Sequence, residues 1–333
     1  MQLGLYRFLW TDLKLVLERK GEILPDYKRW LKSYLRNSKH REVSENSMKI
    51  YTRVLNHLTN YIEEQDEIDR LREIDTEFIL SFLEYLEDNS KNGKFSTKTK
   101  ILYISVLKSF FGYISDNNNE FYTYENEFKG IMPKKKNRGK KITYLNDGEV
   151  DIILKYLNEK IALSKKHYDY IYSLGIKLML FAGLRISEVL NLRLEDINIS
   201  DLTDNEGKRD FYEIYLKETK SNEEQTALIK IEHIETEIAY FKALKQYNEP
   251  IFKGKKSKNT INRSNFYVSV NNIMKNLEIR SRGLHIFRHT CAMQLFRKTG
   301  NLLVLKETLR HSDIKTTMIY AHAEKRDIAD AMR

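Results

Sequence analysis

The sequence predicts a mainly α-helical protein of two domains, with a small antiparallel β-sheet in the second domain. Apolar residues recur at helical spacing along most of the chain, and only three prolines and 13 glycines are present among 333 residues to interrupt helices. A strongly basic segment divides the chain, and one pair of short segments has the composition of strands. These observations define the predicted architecture.

Four segments are predicted along the chain. They are a helical N-terminal extension (1–40), a small helical domain (41–130), a basic linker (131–142) and a larger second domain (143–333). Hydrophobic residues make up 41% of the sequence, so both domains can bury a core of their own.

The small helical domain is predicted from runs of apolar residues at i, i+3 and i+4 spacing. The runs lie in 47–65, 75–88 and 97–115. Asp75 and Ser96 stand where two of these helices should begin, and both are residue types that cap helix N-termini well.

Basic residues fill six of the eight positions in 134–141. They are Lys134, Lys135, Lys136, Arg138, Lys140 and Lys141. One interpretation is a flexible, solvated tether, and the other is a segment that lies along nucleic-acid phosphates and displaces counterions. The net charge of +10 also suggests a polyanionic partner, although a lysine-rich solvated surface would give the same excess. For the linker we favour contact with phosphates.

Several features restrict the class of protein. The single cysteine, Cys291, excludes a disulfide within the chain and fits a reducing cytoplasm. The first residues lack the uninterrupted apolar region of a signal peptide, and no run of about 18 apolar residues predicts a membrane span. No Walker A pattern indicates use of ATP. We therefore expect a cytoplasmic protein without a membrane partner.

Residues 211–217 and 225–231 are predicted to pair as a β-hairpin, because both are rich in aromatic and β-branched residues and a polar segment joins them. Lys220 lies in the predicted turn, and Lys217 lies just before it. On spacing alone, either lysine would be an ordinary solvated side chain.

The segment FAGLRISEVLNL, residues 181–192, places an arginine at a predicted junction between two helices. One helix should end near Gly183 and the next should begin near Ser187. Arg185 is flanked by apolar residues, where a guanidinium is costly unless it meets an acid or an anion. Glu188 could orient Arg185 for an anion, or the two could form a purely structural pair.

Two later segments carry further candidate residues. HIFRHT, residues 285–290, puts His285 and Arg288 on one helix face, where both could reach one phosphate. LRHSDIKTTMIYAH, residues 309–322, contains His311 and Tyr320. Neither an H-x-x-R pattern nor one tyrosine among 21 is specific by itself.

Taken together, the segments resemble the tyrosine recombinase (phage integrase) family, and in particular its Xer-type members. GLRISEV is similar to the first-arginine box of the family, HIFRHT to its H-x-x-R-H-T box, and LRHSDIKTTMIYAH to the box that contains the nucleophile. The resemblance covers about residues 45–333. Two departures stand out: Arg310 replaces the usual glycine before the second histidine, and the hairpin lacks the usual glycine-rich turn.

The resemblance implies a DNA recombinase that cleaves and rejoins strands without metal, ATP or another cofactor. Tyr320 would be the nucleophile that forms a 3′-phosphotyrosyl link, and Arg185, Arg288 and His311 would neutralise the phosphate. His285 would accept the phenol proton or hold the phosphate. Lys220, with Lys217 as the alternative, would protonate the leaving 5′ oxygen. Glu188 would position Arg185.

The resemblance also implies the partners. We expect a two-domain clamp around double-stranded DNA that carries a specific recombination site, and a homo-tetramer on synapsed DNA. The reaction would serve chromosome dimer resolution or the integration and excision of a mobile element. Whether an accessory or activating protein takes part is left open by the sequence. The alternatives are DNA relaxation like that of a type IB topoisomerase, or a catalytically silent DNA-binding regulator.

Overall fold

The chain forms two compact units, Met1–Arg138 and Gly139–Arg333. The computed structural model describes the following residues: 23–64, 70–90, 95–120, 122–124, 127–133, 142–203, 206–216, 225–244, 249–254, 260–280, 283–311 and 314–321. Within them the predicted fold class is confirmed, because helices dominate and the strands form one small antiparallel sheet.

All the regular secondary structure in the described residues of the first unit is helical. Its helices are α1 (23–40), α2 (Glu45–Glu64), α3 (Thr76–Asp88) and α4 (Thr97–Asn117), with a short 3-10 helix at Leu71–Glu73. Helix α1 shares one core with the others: the Tyr27 ring packs edge-on against Phe110, and its hydroxyl donates to the Leu55 carbonyl at 2.7 Å. Residues from 23 onwards thus pack inside the helical domain, ahead of the predicted boundary at 41, because Tyr27 is fully buried there. Residues 1–22 of the predicted extension (1–40) lie outside the described residues.

Both predicted helix caps of this unit are confirmed. The Asp75 carboxylate accepts the backbone N–H of Phe78 at 2.8 Å, and the Ser96 hydroxyl accepts that of Thr99 at 3.1 Å. These bonds satisfy N–H groups that the first turn of a helix leaves without an intrahelical acceptor. The start of each helix is therefore encoded locally.

The second unit has seven α-helices and three strands in its described residues. The helices are α5 (Asp147–Ser164), α6 (His167–Phe181), α7 (Ile186–Asn191), α8 (Ile231–Ala243), α9 (Arg263–Asn276), α10 (His285–Thr299) and α11 (Leu302–Leu309). The strands are β1 (Ile197–Ile199), β2 (Phe211–Leu216) and β3 (Gln225–Lys230).

The predicted hairpin is confirmed, because β2 and β3 pair antiparallel with Ile214 opposite Ala227. Strand β1 pairs with the other edge of β2, Ile197 opposite Ile214, and the sheet order is β1-β2-β3. The sequence did not predict β1, because three residues are too few to show an alternating pattern. Residues 217–224, which join β2 to β3, lie outside the described residues.

Helix α6 is the centre of the second unit and packs against α5, α8, α9 and α10. At Gly175 it lies close to α9, where an added Cβ would lie 2.5 Å from the Phe266 ring. A side chain of any size would push the two helices apart. Because α6 leads directly into the turn that carries Arg185, this packing fixes the position of that turn.

A buried ion pair joins α6 to α8. The Lys177 ammonium donates to the Glu237 carboxylate at 2.7 Å, and the Ser173 hydroxyl donates to the same oxygen at 2.5 Å. Glu237 is fully buried. Removing one partner of such a pair leaves a charge in a medium of low polarity, which is costly.

None of the described helices is both long and apolar enough to cross a membrane.

We expect Lys177→Met to lower the free energy of opening of α6 and α8 by about 3–5 kcal/mol, because Glu237 would lose its counter-charge. Native-state hydrogen exchange of the full chain would measure this. The control is Arg209→Met, which removes an exposed ion pair with Asp201 and should cost less than about 1 kcal/mol. Equal losses in the two variants would contradict a stabilising buried pair.

Candidate active site

The turn between α6 and α7 holds Arg185 in place through Glu188. The Glu188 carboxylate accepts the backbone N–H of Arg185 at 2.7 Å and its guanidinium Nη1 at 2.6 Å. Helix α7 begins at Ile186, near the predicted position, but its N-cap is Arg185 and not the predicted Ser187. The cause is that Glu188 reaches back to cap the helix, so the Ser187 hydroxyl is not needed.

Arg288 ties three elements of the second unit together. From the first turn of α10, its guanidinium donates to the carbonyl of Gly183 in the α6–α7 turn and to that of Leu309 at the end of α11. Its Nη1 also lies 3.9 Å from the Glu188 carboxylate. The first and second predicted clusters therefore meet, although residues 183 and 288 are far apart in sequence.

Arg310 adds a third guanidinium to this cluster. Its Nη2 donates to Glu188 at 3.1 Å and to the Gly183 carbonyl at 3.3 Å, and its Nη1 donates to the Thr308 carbonyl at 2.9 Å. The sequence predicted no role for Arg310 beyond its replacement of a glycine. Its backbone has a left-handed conformation, with φ of 52°, which is a conformation that favours glycine. One feature of the sequence could have indicated that Arg310 belongs to this cluster: a basic residue stands at a turn position where a side chain is poorly tolerated.

We call Arg185, Arg288, Arg310 and Glu188 the arginine cluster. Its three positive charges face one carboxylate, which leaves an excess of two positive charges. Burial lowers the pKa of Arg288 to about 10, and the charges of Arg185 and Arg310 act in the same direction. Burial alone would raise the pKa of Glu188, but Arg310 and Arg185 outweigh it, so that pKa is lowered. The cluster is therefore poised to receive an anion.

Only part of the arginine cluster is open to solvent. The Arg185 side chain is 37% exposed, whereas the side chains of Arg288, Arg310 and Glu188 are each exposed by 6% or less. An anion that approaches the cluster would therefore meet Arg185 first. The buried arginines would act on it at short range in a medium of low polarity, where electrostatic interactions are strong.

The two predicted histidines border this cluster. His311 follows Arg310 directly, and its Nδ1 lies 2.9 Å from the Thr317 hydroxyl. Burial lowers the pKa of His311 to about 4, and the charges of Arg288, Arg185 and Arg310 add to the effect. His311 is therefore a neutral imidazole at neutral pH, with one N–H to donate. His285 is exposed at the first position of α10.

Tyr320 lies in a helical turn after Thr317, with only 1% of its surface exposed. It belongs to an apolar cluster that includes Met293, Leu305 and Leu309. Burial raises the pKa of its phenol to about 12, although the Arg288 charge opposes the change. The Tyr320 hydroxyl lies 2.8 Å from Nδ1 of His289, a residue of the HIFRHT segment for which the sequence predicted no role.

Several predicted site residues cannot be placed. Lys220 and Lys217 lie outside the described residues, and so do the six basic residues of the linker. Among the residues that the structure describes, no group of three or more His, Cys, Asp or Glu side chains is arranged to hold a metal ion.

Comparison with known families gives two matches. Residues 143–327 match the phage integrase family, and residues 26–115 match the phage integrase SAM-like domain. The first match alone covers more than half of the chain. The chain belongs to the phage integrase family. This confirms the predicted family, and the chain is a tyrosine-type site-specific recombinase.

Individual relatives of this phage integrase family member are distant in sequence. It is 27% identical over 281 residues to tyrosine recombinase XerH of Helicobacter pylori, a match that covers 81% of this chain and 73% of XerH. It is 29% identical over 313 residues to tyrosine recombinase XerD of Rickettsia prowazekii, with 88% and 91% covered. The crystal structure of XerH bound to a palindromic difH substrate shares the fold, with a TM-score of 0.70, 24% identity, and 89% of this chain and 81% of that one covered.

We expect Glu188→Gln to destabilise the second unit by about 3–5 kcal/mol at neutral pH, because three guanidiniums would lose their shared carboxylate. The lowered pKa means that Glu188 stabilises the fold above its unfolded value of 4.5, and this contribution is lost as pH falls through the lower folded pKa. The gap between wild type and variant should therefore close in acid.

Hydrogen exchange of α7 and α10 amides between neutral pH and pH about 3 would measure this gap. Glu195→Gln is the control, because its ion pair with Arg193 is exposed and should contribute less than about 1 kcal/mol. A gap that stayed constant down to the lowest pH would contradict a charged Glu188.

Proposed function

We propose that this recombinase cleaves and rejoins DNA at a specific site by attack of Tyr320 on the scissile phosphate, with Arg185, Arg288 and His311 around that phosphate. The product of cleavage is a 3′-phosphotyrosyl link and a free 5′ hydroxyl. One observation carries the proposal: the guanidiniums of Arg185 and Arg288 converge on Glu188, with His311 and the phenol of Tyr320 beside them.

Charge is the physical reason for such a cluster. A phosphodiester bears one negative charge, and it bears roughly two when a fifth oxygen attaches to phosphorus. The arginine cluster has an excess of two positive charges, already oriented by Glu188 and by backbone carbonyls. It would therefore stabilise the transition state more than the bound substrate, which is the condition for faster cleavage.

Two further groups complete the proposed chemistry. His285, exposed at the start of α10 and three residues before Arg288, would hold a non-bridging oxygen of the phosphate. Lys220, in the segment that joins β2 to β3, would protonate the leaving 5′ oxygen, and Lys217 is the alternative. The link to Tyr320 conserves the energy of the phosphodiester, so a 5′ hydroxyl can reverse the step without a nucleotide cofactor.

The proposed partner is double-stranded DNA that carries a recombination site. The XerH structure with its difH substrate supports a DNA partner. A homo-tetramer on two synapsed sites, a clamp of the two domains around the duplex, and contact between the basic linker and phosphates also belong to the proposal. So does a cytoplasmic location. Relatives named XerH and XerD favour recombination over topoisomerase-like relaxation or a silent regulator.

We expect wild type to form a covalent protein–DNA adduct on a nicked suicide substrate in the presence of EDTA, and Tyr320→Phe to form none. The substitution removes only the hydroxyl that attacks phosphorus. Denaturing electrophoresis of labelled DNA would detect the adduct. Tyr144→Phe is the matched control, because that tyrosine packs on Arg297 outside the arginine cluster, and it should form the adduct. An adduct with Tyr320→Phe would refute the assignment of the nucleophile.

We expect Arg288→Ala to bind the DNA site within a few-fold of wild type and to form the adduct about 10²–10³-fold more slowly, because the transition state would lose a fixed guanidinium. Arg288→Lys tests the geometry, since it keeps the charge but loses the planar fork, and it should also be slow. Single-turnover cleavage and gel-shift titration would give the two values. Cleavage within a few-fold of wild type would remove Arg288 from the transition state.

A further inference from the structure

The contact between His289 and Tyr320 is the feature that the proposed chemistry does not use. His289 lies on α10, next to Arg288 and one helical turn after His285. Its Nδ1 lies 2.8 Å from the Tyr320 hydroxyl, and the centres of the two rings are 5.8 Å apart. The Tyr320 ring lies in an apolar cluster, and the imidazole of His289 lies within hydrogen-bond distance of its hydroxyl.

The buried phenol needs a proton acceptor. With a pKa of about 12, only about one Tyr320 phenol in 10⁵ would be ionised at pH 7. A neutral phenol donates its hydrogen bond to Nδ1 when that nitrogen is unprotonated, and the proton of the neutral ring then resides on Nε2. The hydrogen bond therefore lies along the path that the proton would take.

His289 is better situated for this task than the other two histidines. The His285 ring centre lies 6.3 Å from that of His289, and His285 is on the exposed first turn of α10. His311 Nδ1 lies within hydrogen-bond distance of the Thr317 hydroxyl, and burial together with the surrounding guanidiniums disfavours the protonated form of His311. A base of such low proton affinity is poorly matched to a reaction near neutral pH.

The helix itself links the acceptor to the phosphate clamp. Consecutive residues of an α-helix point about 100° apart, so Arg288 and His289 face different neighbours. Arg288 faces the carbonyls of Gly183 and Leu309, and His289 faces Tyr320. One rigid helix thus fixes the distance between the guanidinium that would hold the phosphate and the imidazole that contacts the nucleophile.

We propose that His289 is the proton acceptor for Tyr320 during DNA cleavage, an inference that rests on the proposed function. The phenol O–H bond breaks, the proton moves to Nδ1 of His289, and the phenolic oxygen forms a bond to phosphorus. The bond from phosphorus to the 5′ oxygen breaks, and that oxygen takes a proton from the general acid, proposed as Lys220. In rejoining, the imidazolium of His289 returns the proton to Tyr320.

The decisive variant is His289→Asn, whose side-chain oxygen can accept the phenol hydrogen bond but cannot take the proton. On a suicide substrate at pH 7 we expect adduct formation to slow by about 10²–10³-fold, with DNA binding within a few-fold of wild type. The variant's rate should rise about tenfold per pH unit from about 7 to about 9, because hydroxide replaces the missing base. A purely structural role would not give this recovery.

His285→Asn is the matched control, with the same substitution one turn earlier on the same helix. The rate of adduct formation by His285→Asn should stay below that of wild type by the same factor at every pH. The described titratable and charged groups around the His289–Tyr320 pair include Arg288, Cys291 and His285 on α10, and His311. Arg288, Cys291 and His311 are present in both variants, so their titration does not explain a difference in slope between the variants. Recovery with pH in His285→Asn alone would overturn the proposal, and so would a wild-type rate and profile for His289→Asn.

A substrate with sulfur in place of the 5′ bridging oxygen separates the two ends of the reaction, because a thiolate leaves without protonation. It should restore Lys220→Ala and leave His289→Asn slow. Restoration of His289→Asn would place His289 at the leaving group and overturn the proposal. His289→Gln is a second variant with the same expectation, should the asparagine variant not fold. Failure of the proposed function is distinct, since wild type itself would then form no adduct through Tyr320.

Discussion

The site of this recombinase depends on one buried carboxylate. Glu188 binds the guanidinium of Arg185 at 2.6 Å, that of Arg310 at 3.1 Å and the backbone N–H of Arg185 at 2.7 Å. Three arginines this close would repel one another in a medium of low polarity. The carboxylate offsets one charge and leaves two, so the cluster persists in the folded protein and still attracts an anion.

The backbone around the α6–α7 turn and the end of α11 also holds the arginine cluster in place. An added Cβ on Gly183 would lie 3.1 Å from the Leu309 side chain, so the α6–α7 turn and the end of α11 are in close contact. Arg288 bonds to the carbonyls of these same two residues. Arg310 holds a left-handed conformation that usually favours glycine, and its contacts with Glu188 and the Thr308 carbonyl offset a cost of about 1 kcal/mol. An arginine at a turn position that ordinarily favours glycine is thus part of the arginine cluster.

Much of the fold follows from local features that a sequence displays. Asp75 and Ser96 cap their helices as predicted, because a cap needs only a side-chain oxygen and the N–H three residues later. The hairpin of β2 and β3 was predicted for a similar reason, since its strands are neighbours in the chain. Strand β1 was not predicted, because it is defined by its pairing with β2. The N-cap of α7 was placed at Ser187 instead of Arg185, because the capping bond comes from the Glu188 side chain.

The sequence by itself determined the family and the residue types of the chemistry, because the order and spacing of Arg185, His285, Arg288, His311 and Tyr320 suffice for that. Only the tertiary structure decided what these residues touch. The contacts of Arg310 with Gly183 and Glu188 span more than 120 residues, and that of His289 with Tyr320 spans 31. Such contacts arise where α6, α10 and α11 pack together, and no periodicity along the chain records which side chains that packing brings within reach.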